Sequence, residues 1–590
     1  MMSSLYVGLS GLTNSSNALN TTANNLANVN TKGYVRQQVV FEDRPYNAVA
    51  KFATNTLQQG LGVTIQDVEH VRDILLDEAY RRENGREGFY KKLTDATTEI
   101  QAQLGELNDV SYQNTIRDLL SAVNEVAKTP DDNVARAALV QSSIVFLDRS
   151  QSIYNGLVQY QNNLNNSIYG MIDRINEIGY RIMDLNKHIS SLESGVETAM
   201  TMRDERDLLL DELSEYVKIN TTEDASGTTT VFIEGVFFCN QLDVSEIGAE
   251  VMGDSGFYRP IWKEMNDEPL YNMNVDMATD KNTDIGSLKG LLAARGSISP
   301  TFAMMKELNK PATWPDGPDK ADYDLTTAAG SAAYEADLKE YKEYRDYRYY
   351  EESKECSIVA RSIANFDKLV NGIVSQINEV LSPTTQITDD GGNVYTVLNE
   401  KKCGYGKDAN QTPGTELFSR KYTERYKKVN LTVGGVTSEY YVYNEKNGFG
   451  NKSAYSVSNL EINPKILHDN TLIPLNGADG KVDYEKAKEL VAIFSKDCLT
   501  FRDGLEKFTF EEFYESFVND IGTEGKMYES MVDSQQVLTG SIDDGRQQIM
   551  AVASDEELTN MIRYQQAYNA ASRYINVVTT MMDTIIGLMM

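Results

Sequence analysis

The first thirty-one residues, Met1 to Thr31, carry no charged side chain, yet they hold a coiled-coil seam. Leu5, Leu9, Leu12, Ser16, Leu19, Ala23 and Leu26 recur at spacings of four and three, the rhythm that lays a narrow apolar stripe along a helix. The far end repeats it. Tyr568, Ala571, Ile575, Val578, Met582, Ile585 and Met589 keep the same spacing, and from Tyr574 onward the only charged side chain is Asp583. Two such ends are expected to pair with each other and then with copies of themselves. The candidate assembly interface is therefore Leu5, Leu9, Leu12, Leu19 and Leu26 with Tyr568, Ala571, Ile575, Val578, Met582, Ile585 and Met589.

The polar side of the first helix sharpens this expectation. An amphipathic helix lying on a globule turns charge toward water, whereas here Asn14, Ser15, Asn17, Asn20, Thr21, Asn24 and Asn25 form the outer face. Uncharged polar groups can be buried once hydrogen-bonded, while an unpaired buried charge costs far more. The helix is thus suited to contacts on several sides, and so regular a seam argues against a tail without a partner. A lone chain cannot bury both stripes fully, so the ends are expected to be poorly ordered until assembly.

A chain of 590 residues can bury several cores, about three to five domains on a length prior. Its 87 acidic against 56 basic residues give a net charge of −31, without the basic stripe that nucleic-acid binding needs. No stretch is long and apolar enough to span a bilayer, so neither nucleic acid nor membrane is an expected partner. The start has no basic segment followed by an apolar core, so no cleaved secretory signal is expected. Cys239, Cys356, Cys403 and Cys498 are widely spaced without a CxxC, which reads as buried side chains rather than a zinc site or disulfide framework.

Along the chain, Asn28 to Gly33 should end the first helix. Tyr34 to Phe41 and then Val63, Ile65 and Val68 read as strands, and Arg72 to about Gly105 as helix. The longest element follows: Leu164, Ile168, Met171, Ile175, Ile178, Ile182, Leu185, Ile189 and Leu192 form an unbroken seam, with a start near Pro130-Asp131 and an end near Gly195. That is a rod of roughly 90 Å with Gly156 and Gly170 as candidate kinks. A helix over about Thr201 to Lys218 precedes a strand over Thr228 to Phe238. Helices return at Ser287 to Ala294 and Cys356 to Leu381.

Between those two helices, residues 299–353 form a Tyr-rich insertion, read as a solvated helix with anchoring Tyr rings. Residues from 383 to about 470, including Val433 to Tyr443, should be mostly strand, and from about Asp483 helices continue to the end. The expected fold is mainly α with a β-rich inserted domain, an α+β multidomain chain with paired terminal coiled-coil helices and a long helical middle domain. The expected domains are 1–33 with 550–590 (terminal coiled coil), 34–298 with 354–382 and 483–549 (mixed, helical middle), 299–353 (insertion) and 383–482 (β-rich outer domain).

Ala23-Asn24-Asn25-Leu26-Ala27-Asn28-Val29-Asn30-Thr31-Lys32-Gly33-Tyr34, continuing as Val35-Arg36-Gln37, resembles the signature of bacterial flagellar rod, hook and hook-associated proteins. Three further segments are similar to the hook-associated branch: Gly60-Leu61-Gly62-Val63 with Val71-Arg72-Asp73 and Leu76; Arg203-Asp204-Glu205-Arg206-Asp207 with Leu210, Leu213 and Ser214; and Asp555-Glu556-Glu557-Leu558 with Tyr564-Gln565-Gln566-Ala567-Tyr568. The likeness covers about residues 1–240, 283–298 and 485–590, while 299–353 and 383–470 match nothing in it, and Ala551-Val552-Ala553-Ser554 departs from the usual Gly-Val-Asn. The resemblance implies a structural protein of the flagellum, exported unfolded through the type III channel and assembled as a homo-oligomeric ring at the hook–filament junction. Its implied partners are the hook protein, a second junction protein (hook-associated protein 3), and a cytoplasmic export chaperone on the C-terminal helix.

Reactive groups are sparse. His70, His188 and His468 are the only histidines, and no HExxH, phosphate loop or Gly-x-Ser-x-Gly occurs. His188 flanks the long seam, and Gly448-Phe449-Gly450 reads as a hairpin turn. Asp479 to Asp483 looks like the middle of a calcium loop, but Leu475, Gly477 and Lys486 would occupy ligand positions, so the set fails. Asp389-Asp390 before Gly391-Gly392 reads as a turn. No catalytic residue, cofactor or metal is assigned. The alternatives are a flagellar hook or distal-rod protein, a type III-exported adhesin or effector with an enzymatic insert, and a cytoplasmic coiled-coil scaffold.

Overall fold

The computed structural model describes residues 2–44, 47–51, 56–105, 111–195, 198–252, 256–273, 277–297, 331, 333–334, 357–444, 455–501 and 506–589. Helix α1 (Met2–Ala27) ends in the Asn-rich turn and leads into β1 (Gln37–Asp43). The strand starts three residues later than the Tyr34–Phe41 alternation suggests, because Tyr34 to Arg36 are drawn into contacts with other elements. A hairpin of β2 (Asn47–Lys51) and β3 (Thr56–Gln59) follows, which the sequence pattern did not reveal. Strand β4 (Val63–His70) then returns antiparallel to β1 with a bulge at Val40/Phe41.

Helix α2 (Ile74–Leu104) begins where the Asp73 carboxylate accepts the Leu75 and Leu76 amides, and stops at Gly105, whose φ of 82° is the left-handed cap glycine favours. Helix α3 (Tyr112–Lys128) is an element the sequence reading did not separate. The long seam becomes α4 (Asn133–Glu193), 61 unbroken residues capped by Asp132, a rod of roughly 90 Å. Ile168, Ile175, Ile178, Ile182 and Ile189 are fully buried along it; Leu192, last in the seam, is exposed. Helix α5 (Met200–Tyr216) packs beside it.

Next come two small antiparallel sheets. The first is β5 (Ile219–Glu223), β6 (Thr229–Ile233) and β7 (Val236–Cys239); the second is β8 (Ile247–Val251), β9 (Tyr258–Trp262) and β10 (Glu268–Pro269). The single strand expected over Thr228–Phe238 is instead the β6–β7 hairpin, because Glu234 and Gly235 take positive φ (51° and 83°) and turn the chain back. Helix α6 (Ser287–Arg295) and helix α7 (Ile358–Leu381) stand where expected. The Tyr-rich insertion falls almost wholly outside the described residues, as do Cys356 and the Gly448–Gly450 turn.

The excursion after α7 carries β11 (Thr384–Thr388), β12 (Val394–Leu398), β13 (Phe418–Arg420), β14 (Tyr426–Val433), β15 (Val436–Tyr443) and β16 (Leu460–Ile462), with long irregular connections rather than mostly strand. Four of them form a sheet in the order β11-β12-β15-β14, with its own small core of Val397, Leu431 and Val442. Val433–Tyr443 is mostly strand as expected, with a turn at Gly434-Gly435, whose amides donate to the Asp390 carboxylate at 2.7 and 2.8 Å. Helices α8 (Pro464–His468) and α9 (Tyr484–Ala492) precede α10 (Phe510–Met550), which opens on a Thr509/Glu512 capping box, and α11 (Ser554–Met589). With most of the described residues helical and several small sheets among them, the mainly-α reading with a β-rich excursion holds.

The body is a helical core. Tyr112 of α3 lies at its centre, 5.0 Å from the Phe366 ring and 5.6 Å from the Tyr514 ring, its hydroxyl 2.6 Å from Ser150 Oγ. Helices α2 and α10 run antiparallel, Gly525 beside Thr97 and Gly545 beside Leu76. The chain therefore leaves the terminal pair at β1 and returns to it from α10, so both tails emerge from one end of this core.

Candidate assembly interface

The two terminal helices meet in one chain. Helix α1 runs antiparallel to α11: a Cβ at Gly8 would lie 2.7 Å from Ile575 Cγ1, one at Gly11 3.5 Å from Ala571 Cβ, and Asn25 Nδ2 donates to Glu557 Oε2 at 3.1 Å. The row of α1 residues turned to α11 at three- and four-residue spacing is small: Gly8, Ser15, Ala18, Thr22 and Asn25 are buried and Gly11 is half-buried. Small side chains let two helix backbones approach closely. The leucines lie along one flank of that seam, with Leu5, Leu12, Leu19 and Leu26 half-buried and Leu9 54% exposed.

On α11, Tyr568, Ala571, Ile575 and Met582 are half-buried, Val578 is buried and Ile585 is exposed; the Met589 side chain lies outside the described residues. A second apolar row, Tyr574, Val577, Met581 and Leu588, faces outward, Leu588 at 81% exposure. Pairing within the chain thus covers part of the area expected to wait for neighbours and leaves a second part open.

The polar face of α1 is buried as its composition suggests. Asn14 Nδ2 donates to the Val63 carbonyl at 2.5 Å, the Val63 amide donates to Ser10 Oγ at 3.3 Å, and Asn25 exchanges hydrogen bonds with the Gln37 backbone at 2.9 and 3.1 Å. Helix α1 is therefore sandwiched between α11 and the β1–β4 ribbon, with uncharged groups satisfied on the ribbon side.

The two terminal motifs interlock at Glu557, which is 2% exposed. Its Oε1 accepts from Arg36 Nε at 3.0 Å while Oε2 accepts from Asn25. Arg36 also pairs with Glu556 at 2.9 Å and donates its amide to the Met550 carbonyl at 2.9 Å. Tyr34 donates its hydroxyl to Asn25 Oδ1 at 2.8 Å, and burial, with Asp204 and Glu557 nearby, pushes that phenol up to about 12. Gly33, at φ 80°, lies where a Cβ would collide with the Leu208 side chain.

The joint to the body runs through α5. The Asp204 carboxylate accepts the Val35 amide at 3.3 Å and faces His70 Nε2 at 3.4 Å. Burial raises Asp204 to about 7, and burial together with Arg72 and Arg203 lowers His70 to about 4. One turn further, Asp207 and Asp211 join Asp77 in a cluster with Arg72, Arg81 and Arg546. Arg81 Nε lies 2.8 Å from Asp211, and Arg546 lies 2.8 Å from Asp77 and 2.7 Å from Asp211, its guanidinium 4.1 Å over the Tyr80 ring. The opposite face of α5 holds the body: Arg206 donates to Asn186 Oδ1 at 3.0 Å and to the Gly227 carbonyl at 2.6 Å.

The sequence reading named the leucine and isoleucine stripes and quoted the motifs containing Glu557 and Asp204, but assigned neither acid a contact. The small-residue row Gly8, Gly11, Ser15, Ala18, Thr22, Asn25 has the same heptad spacing as the leucines and is the signal that would have located the intrachain seam. Elsewhere the candidate chemical groups do structural work. His188 bonds the Asp184 carbonyl on α4 and Asp483 caps α9; Cys239 and Cys403 are buried, the Cys239 thiol pushed up to about 12 by burial. Among the described residues, no cluster of His, Cys, Asp and Glu could hold a metal ion, and no helix is long and apolar enough to cross a membrane.

A structural chain whose two ends form one paired, partly uncovered helical element is the class this geometry defines. Comparison with known proteins agrees. Residues 97–313 match the family described as flagellar hook-associated protein FlgK helical domain, residues 5–34 the flagella basal body rod protein family, and residues 544–588 the flagellar basal body rod FlgEFG protein C-terminal family. Relatives named flagellar hook-associated protein 1 align from end to end: that of Bacillus subtilis is 24% identical over 99% of each chain, and that of Escherichia coli 22% identical over all of both. The solved flagellar hook junction protein FlgK from Burkholderia pseudomallei shares the fold at a TM-score of 0.50 and 11% identity, covering 80% of this chain and 99% of that one. Over its whole length the chain is thus similar to flagellar hook-associated protein 1.

Proposed function

We propose that this chain is a structural, self-assembling component of the bacterial flagellum, placed at the junction of hook and filament and acting without catalysis. The single observation that carries the reading is the terminal pair, bonded internally yet presenting Leu9, Val577, Met581 and Leu588 to solvent. Apolar area of this kind is stabilised by roughly 25 cal/mol per Å² once covered, so a ring of copies on a hook end supplies what one chain lacks. The hook protein and a second junction protein (hook-associated protein 3) are the proposed axial neighbours. A cytoplasmic chaperone would shield α11 before type III export.

The test substitutes Leu12→Asp or Ile575→Asp. Each half-buried site would then place a charge in the assembled seam, and the body should keep its melting transition while incorporation into flagella is abolished. Normal motile filaments from either variant would overturn the reading.

A further inference from the structure

The seam between the terminal helices is nearly self-similar under a seven-residue slip. On α11 such a slip exchanges Tyr568 for Ile575, Ala571 for Val578 and Ile575 for Met582; on α1 it exchanges Gly8 for Ser15, Gly11 for Ala18 and Ser15 for Thr22. Apolar replaces apolar over a translation of about 10 Å, and small replaces small except that Ser15 would bring a Cβ to Gly8's place, 2.7 Å from Ile575 Cγ1, and the opposite slip sets Tyr564 in the place of Ala571. The turn over residues 28–33 and the three residues between α10 and α11 could take up such a shift by winding or unwinding. Hydrophobic contact alone therefore specifies the register poorly.

We propose that Glu557 is the register-determining residue of the terminal pair. It is the one buried carboxylate on α11 among the described residues, and it is satisfied only where Asn25 and Arg36 both reach it, at 3.1 and 3.0 Å. After a seven-residue slip in either direction it would face Ala18 or Lys32. Against Ala18 the carboxylate would be buried and unpaired, and against Lys32 it would lie beyond the end of α1, with Asn25 and Arg36 stripped of their acceptor. A buried polar contact that penalises the wrong register is the best-attested use of such groups in paired helices. Because Arg36 also holds the Met550 carbonyl, the same contact ties the register of the tails to their point of exit from the body.

Cysteine pairs in the full-length chain read the register directly. Gly11→Cys with Ala571→Cys reports the observed register, their Cβ positions being 3.5 Å apart, within disulfide reach. Gly11→Cys with Val578→Cys or Tyr564→Cys reports the slipped ones. After mild oxidation, peptide mass spectrometry should find the observed-register bond dominant. Glu557→Leu should lower the ratio of observed to slipped bond by at least about tenfold, the equivalent of about 1.4 kcal/mol. Glu557→Gln, which keeps an acceptor for Asn25, should restore most of it. An unchanged ratio in Glu557→Leu overturns the proposal, and so does loss of all the bonds together, which would make Glu557 a support for pairing rather than for register. Dominance of a slipped bond in the parent chain overturns it as well. The readout does not depend on where the protein assembles, so it stands or falls apart from the junction reading.

Discussion

The His70–Asp204 contact predicts how the tails stay docked as pH changes. Burial lifts the Asp204 carboxyl from 3.8 to about 7, so this group alone supports docking at low pH and withdraws that support as pH rises through its folded value. Burial, with Arg72 and Arg203, lowers His70 from 6.5 to about 4, so this group alone supports docking above its unfolded value and withdraws support as pH falls. Glu193 opposes that shift from the end of α4. Each slope approaches about 1.4 kcal/mol per pH unit, which accumulates to roughly 3–4 kcal/mol over either window.

The slopes have opposite signs. Between about pH 4 and 6.5 the docked and undocked pairs hold the same number of protons, so the native joint should be nearly insensitive to pH there. Single substitutions expose the hidden slopes. His70→Gln leaves Asp204 alone, and docking should weaken as pH rises; Asp204→Asn leaves His70 alone, and docking should weaken as pH falls. Hydrogen exchange at the Val35 and Val71 amides, which bond Asp204 and the Arg36 carbonyl, measures docking once intrinsic exchange is corrected for. Flat profiles in both variants, or slopes of one sign, would refute the reasoning.

Two further substitutions test the body. Arg546→Ala removes the cation shared by Asp77 and Asp211 and should cost about 3 kcal/mol, the low end for a broken buried pair because Arg72 and Arg81 still face those acids; a lowered melting transition of the helical body checks it. Ile178→Ala, at a fully buried site on α4, should cost about 2–5 kcal/mol through the cavity it leaves, seen as earlier chemical unfolding while Glu557 and Asn25 still report a docked pair.

Periodicity determined a good deal by itself. A heptad rhythm needs no tertiary information to place an apolar stripe, and that is why α1, α4, α7 and α11 were all legible, as was the pairing of the two ends. Terminal motifs carried the family. Helix α3 carries the same rhythm, Ile116, Leu119, Val123 and Val126 recurring at helical spacing between Gly105 and Pro130, whereas short strands between turns are less legible. The β6–β7 hairpin hides its turn in Glu234-Gly235, where a glutamate takes a positive φ that composition does not announce.

What only the tertiary structure decided is which of two equally spaced rows on α1 meets α11. The leucines dominate the pattern by hydrophobicity, but Gly8 and Gly11 win the intrachain contact because backbones can approach only where side chains are small. Likewise a sequence can mark Glu557 and Asp204 as members of a motif, but their meaning depends on partners more than five hundred and more than one hundred residues away. Charge becomes informative only once the fold has brought such groups together out of water, because desolvation is what makes an acid seek a particular donor.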